Sequence, residues 1–246
     1  MSVETKEQAT WVEDCLLREY TLQQILSQTS TGEVSLWQHN ALKKKLILRR
    51  CLADQEVYQR MLGGIHPNLP QIYETFASDG KMLVLEEYIE GVLLSEKAAQ
   101  LMGKKGLVRQ IGLNLCDAVN CLHQRGIIHR DIKPENIILE SSSNRLVLID
   151  YTAARCKRLS DLGSPDTICL GTAPYAAPEQ FGVTQTDERT DIYAIGILLN
   201  ILMTGHHPSQ IICRGGLGRI IRHCIRINTS ERYPSVQQLK NALWNL

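Results

Sequence analysis

The sequence has no excess of charge of either sign: 27 lysines and arginines stand against 26 aspartates and glutamates, a formal net charge of +1. A surface built to hold nucleic acid or an anionic membrane is therefore not expected. It has no apolar run of membrane-spanning length. The longest, IYAIGILLNILM at 192–203, is too short to cross a bilayer and reads as a buried helix. The opening MSVETKEQATWVEDC has neither an apolar h-region nor a basic n-region, so no signal peptide is expected there. Eight cysteines are present, but with no C-x-x-C pair and no His/Cys spacing of the zinc type. Scattered in apolar segments, as Cys116 and Cys121 are, they read as buried, reduced thiols of a cytoplasmic protein. There is no internal repeat and no low-complexity tract.

What is present suffices for a sizeable core: 246 residues, 43% apolar and 22% charged. TWVEDCLLREY at 10–20 places Trp11, Val12, Cys15 and Leu16 on one helical face. From 20 to 90 the pattern is mostly that of strands. YTLQQIL and EVSLWQH flank the polar turn SQTST, and KLILRRC follows as a further strand. QEVYQRMLGGI predicts a helix ended by Gly63-Gly64. PQIYETFA and KMLVLEEYI predict a hairpin around Ser78-Asp79-Gly80. From 92 onward helices dominate. KGLVRQIGLNLCDAVNCLHQRG carries Leu107, Ile111, Leu115, Ala118 and Leu122 at helical spacing. LGRIIRHCIRI puts Leu217, Ile220, Ile221, Cys224 and Ile225 on one face, and SVQQLKNALW starts at Ser235 as its N-cap. A small sheet-rich part followed by a larger helical part is the outline.

Chemistry concentrates in IIHRDIKPENIIL, 127–139, and LVLIDYTAA, 146–154. Asp131, Lys133 and Asn136 can converge from one polar loop held between apolar segments, and Asp150 follows a short apolar strand. Asn136 and Asp150 offer hard oxygen ligands of the kind Mg²⁺ takes. Asp131 can accept a proton or orient a hydroxyl. Lys133 can neutralise a phosphate. Together they form a phosphoryl-transfer kit of metal site, base and cation.

These segments resemble the eukaryotic-type protein kinase domain, and the resemblance spans nearly the whole chain. HRDIKPEN matches the catalytic-loop signature, and DYT stands where DFG is usual. GTAPYAAPEQ, 171–180, resembles the end of an activation segment, with Ala177-Pro178-Glu179 as APE. RTDIYAIGILL resembles the buried central helix with its Asp191 and Gly196, and Arg232 matches the arginine that pairs with Glu179. Lys133 with Gly171-Thr172 points to the Ser/Thr branch. HPNLPQIYE, LEEYIEG and the short C-terminal half are similar to compact bacterial Ser/Thr kinases. The resemblance implies an α+β, two-lobed protein-kinase-like fold forming one domain over 1–246. Its β-rich N-lobe, with one main helix, would span about 10–88, and its larger helical C-lobe about 91–246. Asp191, Arg232 and Glu179 would be scaffold residues, and His129 a packing and hydrogen-bonding residue.

Where the family has a glycine-rich loop, this chain has SQTSTGEV, 27–34, in which only Gly32 and Val34 fit. Ser27 and Thr29 replace two glycines whose absent Cβ atoms let backbone N–H groups approach phosphates. The hydroxyls of Thr29 and Ser30 are the donors left to take their place. The family's third-strand lysine follows the loop valine by about fifteen residues, which falls on Arg49. Strand phase puts Ile47 and Arg49 on one face and Leu46 and Leu48 on the other; Lys45, further up the strand, is an imperfect substitute. Arginine keeps the charge, and Glu56 is the candidate helix glutamate to pair with it. The guanidinium is nonetheless longer and fork-shaped, and a misplaced cation would cost about 10²–10³ in rate. LVLEEYIEG aligns Glu87 to Ile89 as the hinge and Glu86 as the gatekeeper. A carboxylate at 86 must be paired or solvated, and Arg49 is the expected partner. Thr152 replaces the DFG glycine, which should restrict flipping of the activation segment.

The function implied is ATP- and Mg²⁺-dependent phosphorylation of serine or threonine in a protein substrate. Asp131 would orient the hydroxyl and Lys133 would steady the moving phosphoryl group. Asn136 and Asp150 would hold Mg²⁺, and Arg49, supported by Glu56, would face the phosphates. Val34, Ile47 and Ile138 would sandwich adenine, with backbone groups of Glu87 and Ile89 at its edge and Ser27, Thr29 and Gly32 near the phosphates. Ile47, where alanine is usual, would crowd the ring. Ser160, Ser164 and Thr167 are candidate phosphoacceptors, with Arg130 placed to receive the phosphate; solvated loop residues are the plainer reading. The alternative is a pseudokinase, a nucleotide-sensing or partner-docking module, argued by the degraded loop and Arg49. A small-molecule phosphotransferase is disfavoured, because it has no need of GTAPYAAPE. Oligomeric state is not legible.

Overall fold

The computed structural model describes residues 14–30, 32–78, 81–143, 145–157, 172–181 and 185–246. The chain divides into two compact units. One comprises residues up to His66 together with Pro70–Ile89, the other Pro67–Leu69 together with Glu90–Leu246.

The first unit is built on five antiparallel strands: β1 (Tyr20–Gln28), β2 (Gly32–His39), β3 (Lys45–Cys51), β4 (Ile72–Ser78) and β5 (Lys81–Glu87). They lie in the order β1-β2-β3-β5-β4. The central strand β3 is covered on both faces. Leu46 and Leu48 join Leu16, Trp37 and Leu83 in one buried cluster. Leu16 comes from residues 14–19, which are helical (α1); Trp11 and Val12, expected on the same face, lie outside the described residues. On the other face of β3, Ile47, Arg49 and Cys51 are buried. Helix α2 (Gln55–Met61) starts at Asp54, whose carboxylate accepts from the Glu56 N–H at 3.1 Å, and buries Val57, Tyr58 and Met61. Gly32 has a packing reason to lack a side chain: a Cβ there would meet the Arg50 carbonyl oxygen at 2.4 Å. It lets β2 close onto β3 where the two strands begin to pair.

The second unit starts with β6 (Gly91–Leu93), α3 (Leu94–Leu101), α4 (Lys105–Gln124) and β7 (Ile127–Ile128), and continues with β8 (Ile137–Glu140), β9 (Leu146–Leu148) and β10 (Arg155–Cys156). Its last elements are α5 (Glu188–Thr204), α6 (Gly215–Cys224) and α7 (Val236–Trp244). The strands form two small sheets, β6-β8-β9 and β10-β7. α4 and α5 carry the core: Val108, Leu115, Leu122, Ile195, Leu198 and Leu199 are fully buried. Close packing of α5 on α6 requires a glycine, since a Cβ on Gly196 would meet the Cys224 Cβ at 2.5 Å. Ser235 caps α7, accepting from the Gln238 N–H at 3.4 Å.

One expected core position is corrected. Leu107 is 52% exposed, and Val108 is the residue buried at that turn. Leu107 sits in the first turn of α4, where with Val92, Leu101 and Leu139 it lines an open pocket of about 370 Å³. Among the described residues no helix is long and apolar enough to cross a membrane, and seven cysteines are free thiols.

Candidate active site

The loop after β7 is held from below by one carboxylate. Asp191, in the first turn of α5, is fully buried. Its Oδ2 accepts from the His129 N–H at 2.9 Å and its Oδ1 from the Arg130 N–H at 2.8 Å. His123, on α4, brings its Nε2 to within 2.8 Å of Oδ2. Burial by itself would push the Asp191 carboxyl up, but the hydrogen bond and charge of His123 and the Arg130 N–H hold it below the ordinary carboxylate range. Pinned in this way, Arg130 takes a φ of +69°, a left-handed conformation that a non-glycine residue keeps only when its surroundings impose it. His129 is fully buried. Its Nδ1 accepts from the Asp131 N–H at 3.3 Å, and its ring meets the edge of Tyr151 at 5.7 Å. His129 therefore packs and positions, as the sequence predicts.

Beyond it the polar side chains converge. The Asp131 Oδ1 accepts from the Thr172 hydroxyl at 2.7 Å, and Oδ2 from the Asn136 amide at 2.9 Å. Lys133 Nζ lies 2.7 Å from the same Oδ2 and donates to the Thr172 Oγ1 at 2.7 Å. Asp131, Lys133 and Thr172 thus form a closed ring of contacts, with Asn136 bound to one corner. The Asp131 and Lys133 side chains remain 16% and 19% exposed.

Asn136 commits both amide hydrogens, one to the Asp131 carbonyl at 2.8 Å and one to its carboxylate. Its Oδ1 is the acceptor atom of the side chain that these two bonds leave unused. The Asn136 carbonyl accepts from the Ile149 N–H at 2.8 Å, which fastens this strap beside Asp150. Asp150 has a φ of +68°, and its Oδ1 accepts from the Thr152 N–H at 3.2 Å and hydroxyl at 2.5 Å. Thr152, where the family has glycine, is a local cap on this carboxylate. Among the described residues no three His, Cys, Asp or Glu side chains cluster as a metal cage. A pair of oxygen ligands completed by phosphate oxygens and water is the way Mg²⁺ is usually held, and Asn136 with Asp150 fits it.

In the first unit, Arg49 lies opposite Val34 on β2 and Val84 on β5, while Ile47 lies opposite Leu36 and Glu86. Directly opposed residues share a face of the sheet, so Val34, Ile47, Arg49, Val84 and Glu86 share one. The expected partner of Arg49 is in contact: Nε and Nη2 both donate to the Glu86 Oε1, at 3.2 and 2.9 Å. Glu56, the candidate helix partner, pairs with Arg60 one turn along α2. Lys45 places its ammonium 5.2 Å from the centre of the Tyr88 ring.

The hairpin expected to cradle phosphates is closed by its own side chain. The Thr29 Oγ1 accepts from the Gly32 N–H at 3.1 Å and donates to the Gly32 carbonyl at 3.2 Å. Ser27, next to the last residue of β1, lies opposite Val34. At the hinge, the Glu87 N–H donates to the Gln71 carbonyl at 2.9 Å and the Glu87 Oε2 accepts from the Gln71 N–H at 3.0 Å. Ile89 is buried. In the second unit, Ile138 stands on β8 opposite Leu93 and Val147.

Three residues of the site were not singled out as such from sequence. Thr172 was legible as a branch marker but not as the link between Asp131 and Lys133. Gln180 is buried, donates to the Arg130 carbonyl at 2.8 Å and accepts from the Ala177 N–H at 2.9 Å. It joins the catalytic loop to the 3₁₀ turn at Pro178–Phe181. His123 had only its place in the helical register to mark it. The expected Glu179–Arg232 pair is bidentate and buried, at 2.7 and 2.9 Å, with Thr190 donating to Glu179 at 2.9 Å. Ser160, Ser164 and Thr167 lie outside the described residues.

A family model described as the protein kinase domain matches residues 20–246. The chain is similar to Serine/threonine-protein kinase B of Synechocystis sp., with 30% identity over 203 residues covering 73% of this chain and 35% of that protein. It is similar to Serine/threonine-protein kinase PknA of Nostoc sp., with 33% identity over 193 residues covering 74% of this chain and 34% of that protein. It is also similar to CBL-interacting protein kinase 10 of Oryza sativa subsp. japonica, at 30% over 210 residues, 79% of this chain and 46% of that protein. The aligned region thus spans about a third of the length of the two bacterial relatives.

Proposed function

Because this chain belongs to the protein kinase domain family, we propose that it transfers the terminal phosphoryl group of ATP to serine or threonine of protein substrates with Mg²⁺. The observation that carries this reading is the ring of Asp131, Lys133 and Thr172 with Asn136 bound to it. In phosphoryl transfer, positioning and charge stabilisation do most of the work. Asp131 receives the substrate hydroxyl and takes its proton as the new P–O bond forms and the bond from the terminal phosphorus to the departing ADP oxygen breaks. Lys133 offsets charge on the moving group. Thr172 keeps the two aligned until the substrate hydroxyl arrives. Asn136 and Asp150 are the residues that would hold Mg²⁺, which when bound neutralises and orients the phosphates. By their places in the family pattern, Val34, Ile47 and Ile138 are assigned to adenine and the backbone of Glu87 and Ile89 to its edge. Ser27, Thr29 and Gly32 are assigned to the phosphate end, and Arg49 to the phosphates themselves. The names of the relatives support serine or threonine as acceptor. The free thiols support a reducing, cytoplasmic setting.

A second reading, a nucleotide-sensing pseudokinase, is favoured by one observation: the Thr29 hydroxyl is built into the hairpin turn. The two separate in a phosphotransfer assay with labelled ATP, Mg²⁺ and a generic protein substrate, run beside Asp131→Asn. Signal well above the variant supports the kinase. No signal above it, with no thermal shift on adding nucleotide, sinks that reading.

A further inference from the structure

We propose that the open pocket of the second unit docks a segment of the protein substrate in which aliphatic side chains alternate with carboxylates. This rests on the reading of the chain as a kinase. The pocket, about 370 Å³, is lined wholly by residues of the second unit. Part of its lining is a strand pair, in which Val92 on β6 stands opposite Leu139 on β8. These strands approach closely because residue 91 is glycine: a Cβ there would meet the Leu139 carbonyl oxygen at 2.3 Å. Leu101, the last residue of α3, and Leu107, in the first turn of α4, supply the rest of the apolar lining. Leu101 is buried, but Leu107 is left half exposed. Covering such a surface with an aliphatic side chain is favourable.

Charge decides which aliphatic segment fits. Lys97 on α3 and Lys104, just before α4, also line the pocket, and among the described residues neither side chain has an ion pair or hydrogen bond. The first turn of α4 carries no acidic residue and no side-chain cap. The one carboxylate of the lining, Glu140, is engaged by its own turn: Arg145 Nη2 donates to its Oε1 at 3.3 Å and the Ser143 hydroxyl to its Oε2. The pocket thus joins apolar surface to positive charge that its lining does not offset, and its complement is apolar and negative. An enclosed cavity would suit a small ligand, whereas an open one lets a peptide chain cross it. β8 runs directly on from Asn136. A segment held against Leu139 is therefore tethered beside the catalytic loop, which raises the effective concentration of the phosphoacceptor.

The probe is a short fluorescein-labelled peptide of alternating leucine and glutamate, read by anisotropy. It is compared with a leucine–lysine peptide and with decanoate, on the wild type and on Lys97→Glu/Lys104→Glu. The wild type is expected to bind the acidic peptide about tenfold more tightly than it binds the basic one, and about tenfold more tightly than the double variant does. Added salt should weaken this binding. Equal binding of the two peptides, or binding unchanged in the double variant, overturns the proposal. Decanoate binding more tightly than the acidic peptide overturns it in favour of a small anionic amphiphile. A serine acceptor peptide is then assayed alone and joined to the leucine–glutamate segment through Gly/Ser linkers of graded length. The best linker should lower KM about tenfold in the wild type, with little change in kcat. The double variant should lose that gain and match the wild type on the acceptor alone; a gain it keeps overturns the proposal. Where the double variant does not fold, Leu107→Ser decides, and it too should weaken the acidic peptide. A wild-type chain that binds the acidic peptide through these lysines yet transfers no phosphate removes the kinase reading and leaves the docking site, its occupant then a binding partner. A wild-type chain that transfers phosphate and binds neither peptide removes this proposal alone.

Discussion

Thr172→Val tests whether the ring around Asp131 is a working arrangement. The substitution keeps size and branching and deletes the one hydroxyl that both accepts from Lys133 and donates to Asp131, each at 2.7 Å. Hydrogen bonds to charged groups contribute about 1.5–3 kcal/mol each. Losing both would be severe, but Lys133 still lies 2.7 Å from Asp131 directly, so the pair does not come apart. What is lost is about one bond's worth of orientation, a factor of about 10 to 10² in kcat/KM. Partial exposure of both side chains argues for the lower end. The assay is steady-state phosphotransfer, with thermal unfolding as the control for folding. Thr172→Ser keeps the hydroxyl and should lose less than about threefold. The reasoning is refuted if Thr172→Val, folded and with an unchanged midpoint, is as active as Thr172→Ser.

Two further predictions concern the scaffold. Arg232→Met leaves the Glu179 carboxylate buried with Thr190 as its remaining named donor, which should cost about 3–5 kcal/mol. For a chain of this size that is a fall of about 6–20 °C in the thermal midpoint, and calorimetry showing less than about 3 °C contradicts it. Asp191 has a folded-state pKa below its ordinary 3.8, so its contribution to stability is present above the unfolded-state value. It is lost as pH falls through the folded-state value. A series of unfolding midpoints in acid should show this loss in the wild type and a shallower acid slope in Asp191→Asn.

Much of this was legible in the sequence because it is local. KLILRRC is a strand with the bounds its pattern gives. Counting from Val34 along a period-2 pattern placed Arg49 and Ile47 on one face, where the register has them. Asp131, Lys133 and Asn136 lie close in sequence, so a short loop had to bring them together. What resisted reading depends on tertiary meetings. Thr172 is 41 residues from Asp131, and Gln180 is 50 from Arg130; neither spacing leaves a periodic trace. Leu107 was misplaced because helical period fixes a face but not whether its first turn is covered.

The Asp191 carboxylate gathers groups from three places in the chain: His123 of α4, the two loop amides after β7, and its own helix α5. A loop held in this way cannot loosen by itself. To release the His129 and Arg130 amides to water, the carboxylate must be withdrawn, and it sits in a helix buried along most of its length. The free energy for opening the catalytic loop is thereby tied to that for opening the helical core. Its amide hydrogens should exchange with solvent at the pace of core residues, although the loop has almost no regular secondary structure of its own.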